Sequence, residues 1–171
     1  MLVVGYPSED FPPPPRITLT IPDDWQAAWP ERTLMAVHGP PGEEGIVPNV
    51  LVAHQRLYEG ESLDNVVART LEGLSQADPP IEVDEPRLLD LEGAIAAVLI
   101  AGTRTGDGDR LILQRQIIIQ LESASNGTAV LEITATFGAS QRQLLESIVA
   151  SAAFMTDVDD PSLFPEARNR G

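Results

Sequence analysis

The chain predicts an α+β fold: an α/β/α sandwich with a mostly antiparallel sheet of six or seven strands flanked by two helices. Three observations carry this. Short apolar runs alternate with period two along most of the chain, and two stripes instead recur at helical spacing. One strand, "GAIAAVLIAG" (93–102), is apolar on both parities, so both of its faces need cover.

Residues 1–15 end in Pro12 to Pro15, which must be extended because each ring fixes φ and restricts the residue before it. They read as a stiff Pro-rich lead-in to the domain. "RITLTIP" (16–22) is the first strand. Pro22 ends it, Asp23 and Asp24 suit a turn, and Trp25 supplies a large ring to bury. "TLMAVHG" (33–39) and "VLVAHQRL" (50–57) are strands separated by a Gly/Pro/Glu loop. In 62–77, Leu63, Val66, Val67, Leu71 and Leu74 form a helical stripe with Ser62 as its cap. Prolines make 79–89 an irregular edge strand.

The strand 111–122 turns Leu111, Leu113, Ile117, Ile119 and Leu121 to one face and keeps Ile112 and Ile118 on the other. Asp107-Gly108 makes the hairpin before it. "TAVLEITATF" (128–137) points Ala129, Leu131, Ile133, Ala135 and Phe137 inward. A two-residue Asn126-Gly127 turn would set those residues against solvent-facing ones. A three-residue loop, Ser125 to Gly127 with a bulge, pairs Leu131 with Leu121 and Ile133 with Ile119, and burial favours that register. A second helix follows, with Ser140 and Gln143 as a capping box and Leu144, Leu145, Ile148, Val149 and Ala152 as its stripe. Residues 16–155 thus make one domain, and 156–171 read as a flexible acidic tail.

Eleven basic against 26 acidic residues give a net charge of −15, which repels phosphate backbones and anionic membranes; no nucleic-acid role is expected. All the basic residues are arginine. The absence of lysine removes Schiff-base and P-loop chemistry, and the absence of cysteine removes disulfides, thiolate nucleophiles and Cys-based metal sites. Arginine beside many Ala, Val and Pro fits a GC-rich source genome. The N-terminus has no basic n-region or cleavage site, and the longest apolar run is far short of the about 20 residues a span needs. The expectation is a cytoplasmic protein with no membrane insertion, secreted or lipid-anchored only if a leader precedes this sequence.

Little in the chain looks like chemistry. Pairing Val37 with Leu51 would leave His38 and His54 about four residues apart along the ladder, too far to share a metal. No nucleophile elbow accompanies them. Asp107 with Asp109, and Asp157 with Asp159 and Asp160, lack the spacing and closing Glu of a calcium loop. No catalytic residue, metal or cofactor is therefore expected. Arg115 is the exception in the core pattern: it shares parity with Ile117 and Ile119 and must pair, snorkel or line a cavity. If a pocket exists, Arg115 with Gln114 or Gln116 is the candidate to line it.

The order of elements, with "IPDDW" after the first strand, "ESLDNVVARTLEGL" as first helix and "SIVASAAF" closing the last, resembles the PsbP-like fold. Within it, the chain looks similar to the actinobacterial LpqN/LpqT lipoprotein group over roughly residues 16–155. These motifs mark a fold and carry no chemistry. The resemblance implies a non-enzymatic, protein-binding adaptor or chaperone-like domain, with a link to secretion; the partner would be another protein and the chain a monomer or weak homodimer. The alternative is a pocketed binder of a small apolar or anionic ligand, with Arg115 as its polar anchor. The lipobox cysteine of that group is absent here.

Overall fold

A computed structural model describes residues 14–28, 30–77, 81–122 and 128–155. Its strands are β1 (Arg16–Thr18), β2 (Gln26–Ala28), β3 (Met35–His38), β4 (Asn49–Leu57), β5 (Glu82–Val83), β6 (Arg87–Leu89), β7 (Ala96–Thr105), β8 (Leu111–Glu122), β9 (Thr128–Gly138) and β10 (Ala153–Met155). Helix α1 spans Leu63–Ser75 and α2 spans Arg142–Ala150. Eight strands form one open antiparallel sheet, ordered β2-β3-β4-β9-β8-β7-β5 with β6 also on β7. The expected sandwich is present, with one strand more than the upper estimate. Two strands are gained, β2 at one edge and a second from the expected 79–89 strand, which is broken at Pro86 into β5 and β6, and one is lost, because 16–22 leaves the sheet.

Period two sorts the side chains onto two faces. Leu113, Ile117, Ile119 and Leu121 of β8, and Ala129, Leu131, Ile133, Ala135 and Phe137 of β9, pack under Leu145 and Ile148 of α2. Val98, Ile100, Ile118 and Val130 pack on the other face against Leu63, Val66 and Leu74 of α1. Strand β7 is covered on both faces, as its double apolarity requires: Ala97 joins the first layer, Val98 and Ile100 the second. Each fully buried aliphatic chain stabilises the fold by roughly 1.5–3 kcal/mol.

Several expectations change. Residues 16–22 do not join the main sheet. Pro22 accepts from the Trp25 amide at 3.1 Å, and that turn separates β1 from β2. Strand β1 instead pairs with β10 on the α2 face, and its Ile17, with Leu19 and Ile21 after it, packs on the core. The β3–β4 register pairs Val37 with Val50, one residue away from the expected Val37–Leu51. That step sets Val37, Val50 and Val52 on one buried face. Strands β8 and β9 pair Ile119 with Leu131 and Ile117 with Ile133, displaced by two residues from the expected register. An even displacement keeps the inward set unchanged; the connection itself lies outside the described residues. Leu111, at the strand's open end, is 43% exposed rather than buried.

Helix α1 begins as its sequence dictates: the Ser62 hydroxyl accepts from the Asn65 amide, and the Asn65 side chain accepts from the Ser62 amide. Helix α2 does not use the expected Ser140/Gln143 box. Ser140 donates its amide and its hydroxyl to Glu44, a carboxylate brought in from the β3–β4 loop to the positive end of the helix. The helix also ends earlier than its stripe. The Ser151 hydroxyl donates to the Ile148 carbonyl and accepts from the Thr20 amide at 2.8 Å, and 153–155 continue as β10. The expected lead-in before Pro14 and the tail after Met155 lie outside the described residues.

Candidate functional site: a cleft beside helix α2

Helix α2 sits on the sheet through Leu145 and Ile148, and its flank faces β8 and the segment between β6 and β7. Small side chains, Ala150 and Ala152, occupy the gap between that flank and Leu89–Glu92. A cavity of about 440 Å³ remains there, with Ile117 and Ile119 as floor and Leu91, Val149 and Phe154 among its walls. This volume falls within the range of small-molecule sites. Asp90 and Glu92 are exposed at its mouth, and Glu146 beside them is ion-paired with Arg142 at 3.4 Å.

A second cleft, of about 110 Å³, shares Ile117, Glu146 and Val149 with the first and is bounded by Arg115, Leu99 and Phe137. Arg115 reaches it because it has the parity of Ile117. Its Nη1 donates to the carbonyls of Gln114 at 2.9 Å and Gly102 at 3.3 Å, and its Cζ lies 5.9 Å from the Phe137 ring centroid. No carboxylate of the described residues lies within ion-pair distance of it. Burial lowers its pKa, and Arg142 adds to that; Glu146 and Asp84 act in the opposite direction and Arg87 in the same one. An arginine remains a cation regardless.

The three candidates named from sequence are not brought together. Gln114 and Gln116 alternate with Arg115 and lie on the α1 face, away from the cleft. The Gln116 amide donates to Thr134 Oγ1 at 3.4 Å, and its Oε1 is buried with no partner among the described residues. His38 sits opposite Asn49 and His54 opposite Leu131, well separated along β4. Burial, followed by Arg56, lowers the His54 pKa. Asp107 and Asp109 occupy the β7–β8 turn, while Asp157, Asp159 and Asp160 lie outside the described residues. Among the described residues no group of three or more His, Asp or Glu is placed to hold a metal.

Sequence reasoning missed the cleft's outer wall, Leu89 to Glu92. The alternation Leu89-Asp90-Leu91-Glu92 was the available signal: it puts two leucines inward and two carboxylates at the rim. Phe154 was read as the end of a helix, and only its pairing in β10 turns it to the cavity.

An open antiparallel sheet with one helix on each face and a short strand pair beside α2 defines a non-barrel α+β sandwich, and comparison places it in the PsbP-like fold. LpqN, a protein involved in cell envelope biogenesis of Mycobacterium tuberculosis, is similar in structure with a TM-score of 0.64 and 17% identity, over 82% of this chain and 84% of that one. The cyanobacterial PsbP (CyanoP) of Synechocystis sp. PCC 6803 is similar with a TM-score of 0.53 and 8% identity, over 91% of this chain and 98% of that one. The fold is therefore PsbP-like and close to that of LpqN. No family model matches the sequence, and no curated protein matches it. Among the described residues no helix is long and apolar enough to cross a membrane.

Proposed function

We propose that this chain is a non-catalytic binding domain that holds the apolar part of its ligand in the cleft beside α2. The observation that carries this is the 440 Å³ cavity, walled mainly by isoleucine, leucine, valine, alanine and phenylalanine with carboxylates at its rim. Arg115, half-buried in the adjoining cleft without a carboxylate partner, supports the pocketed-binder reading and supplies its polar end. A role in the cell envelope, as the LpqN likeness suggests, extends the same proposal.

The test is native mass spectrometry of the purified protein, followed by displacement with a hydrophobic fluorescent probe. The expected result is one probe bound per chain, with binding weakened at least tenfold in Ala150→Phe, which fills the gap beside the helix. Probe binding that Ala150→Phe leaves unchanged sinks the assignment to this cleft.

A protein partner is the second reading, favoured by Leu88. This side chain is 83% exposed on β6, the outer strand beside β7, and Ile95 nearby in sequence is 58% exposed. Leu88→Asp is expected to abolish capture of a stoichiometric partner while leaving probe binding intact. Capture that survives Leu88→Asp counts against that surface.

A further inference from the structure

The two adjoining clefts differ in their charged residues. The outer end of the larger one carries Asp90 and Glu92, both exposed to water. The smaller one carries Arg115, whose guanidinium makes only two hydrogen bonds, both from Nη1 to backbone carbonyls. Nε and Nη2 have no acceptor among the described residues. A guanidinium offers five donors in a planar fork, so a half-buried one served by two carbonyls on a single nitrogen has unused donors. A carboxylate accepts two of them side by side, and such charge-assisted pairs are roughly twice as strong as neutral hydrogen bonds.

The surroundings agree. Arg142 and Arg87 lie near enough to act on Arg115, balanced by Glu146 and Asp84. With Arg115 itself that leaves this group with one net positive charge, in a chain of net charge −15. Glu146 acts on Arg115 from a distance but forms its ion pair with Arg142, at 3.4 Å, and not with Arg115. From Arg115 the shared walls Ile117 and Val149, with Glu146 beside them, lead into the larger apolar cavity.

We propose that the cleft binds an aliphatic chain ending in a carboxylate, with the head group forked on Arg115 and the chain lying along Ile117 and Val149 into the cavity between α2 and Leu89–Glu92. This rests on the binding-cleft reading above and adds the head-group chemistry. The acidic mouth favours entry of the chain with its carboxylate directed away from Asp90 and Glu92, and it rejects a second negative charge at the outer end. A dicarboxylate of the same length is thus excluded by the same geometry.

The test is titration of the full chain with dodecanoate and dodecylammonium, each below its critical micelle concentration, and with dodecanol below its solubility limit, repeated on Arg115→Gln and Arg115→Lys. The expected order is dodecanoate tightest, about tenfold or more ahead of dodecanol, with the ammonium weakest. Arg115→Gln should remove the advantage of the carboxylate over the alcohol, and Arg115→Lys should keep part of it, because a lysine retains charge but loses the fork. Equal affinity for all three probes overturns the head-group inference and leaves the binding cleft standing. Tightest binding of the ammonium overturns it in favour of the acidic mouth. If none binds, the cleft reading itself falls. The comparison of probes on the unmodified protein decides the matter even where a variant does not fold.

Discussion

Trp25 is 7% exposed, and its indole occupies the space where a side chain on Gly39 would stand; a Cβ there would lie 2.5 Å from the ring. The Pro22–Trp25 turn and Gly39 therefore work together: the turn delivers the ring and the glycine makes room for it. Gly39→Ala is expected to destabilise the fold by about 1–3 kcal/mol through overpacking, measurable by urea unfolding, whereas a neutral result would show that the ring can shift freely. Glu132 shows the opposite situation. Burial raises its pKa, with Arg69 acting against that, and it accepts from Gln55 Nε2 at 2.6 Å. A raised folded pKa means that the folded state holds its proton longer than the unfolded chain. The stability linked to that proton is present in full below about pH 4 and is lost as the pH rises through the folded value. Glu132→Gln keeps the acceptor without the charge, so it should raise the melting temperature at pH 7 and lose that advantage near pH 4. A variant equally altered at both pH values would show that the carboxylate charge is not the cause.

At the scale of elements, α1 and α2 begin in physically different ways. Helix α1 is capped within its own sequence by Ser62 and Asn65. Ser62→Ala is expected to cost about 1 kcal/mol, seen as faster amide exchange in the first turn of α1; unchanged exchange there would mean that packing of Leu63 and Val66 alone holds the end. Helix α2 takes its cap from Glu44, 96 residues before Ser140. The local motif was readable and a stronger acceptor displaced it, since a carboxylate at a helix N-terminus adds charge to the hydrogen bond. Hydrogen bonds from Ser140 to Glu44 hold the Glu44 pKa low. The β3–β4 loop is thus fastened to the start of α2, also by Gln141 Nε2 donating to the Pro40 carbonyl.

For the whole molecule, the pairing of β1 with β10 ties the beginning of the described chain to its end across the α2 face. It holds Phe154 against the cavity and places Ile17 on the core. Ile17→Asp is expected to free β10, giving loss of amide protection at 153–155 with β8 and β9 still protected, together with weaker probe binding in the cleft. A global loss of protection would instead make this strand pair part of the main cooperative unit. Much of the architecture was legible because parity is local: which residues of β7, β8 and β9 face inward follows from period two alone. The cleft was not legible, because its walls come from β6–β7, β8, α2 and β10, and no local pattern announces that they converge.

By itself the sequence determined the sandwich, the two helical stripes, the doubly covered strand and the inward set Leu113 to Phe137, since alternation and helical spacing are properties of neighbouring residues. Only the tertiary structure decided the registers of β3–β4 and β8–β9, the capture of α2 by Glu44 and the departure of β1 from the sheet. It also decided that Arg115 faces a cleft while Gln114 and Gln116 face the other way. Each of these depends on contacts between segments far apart in the chain, where packing and charge outweigh local preference.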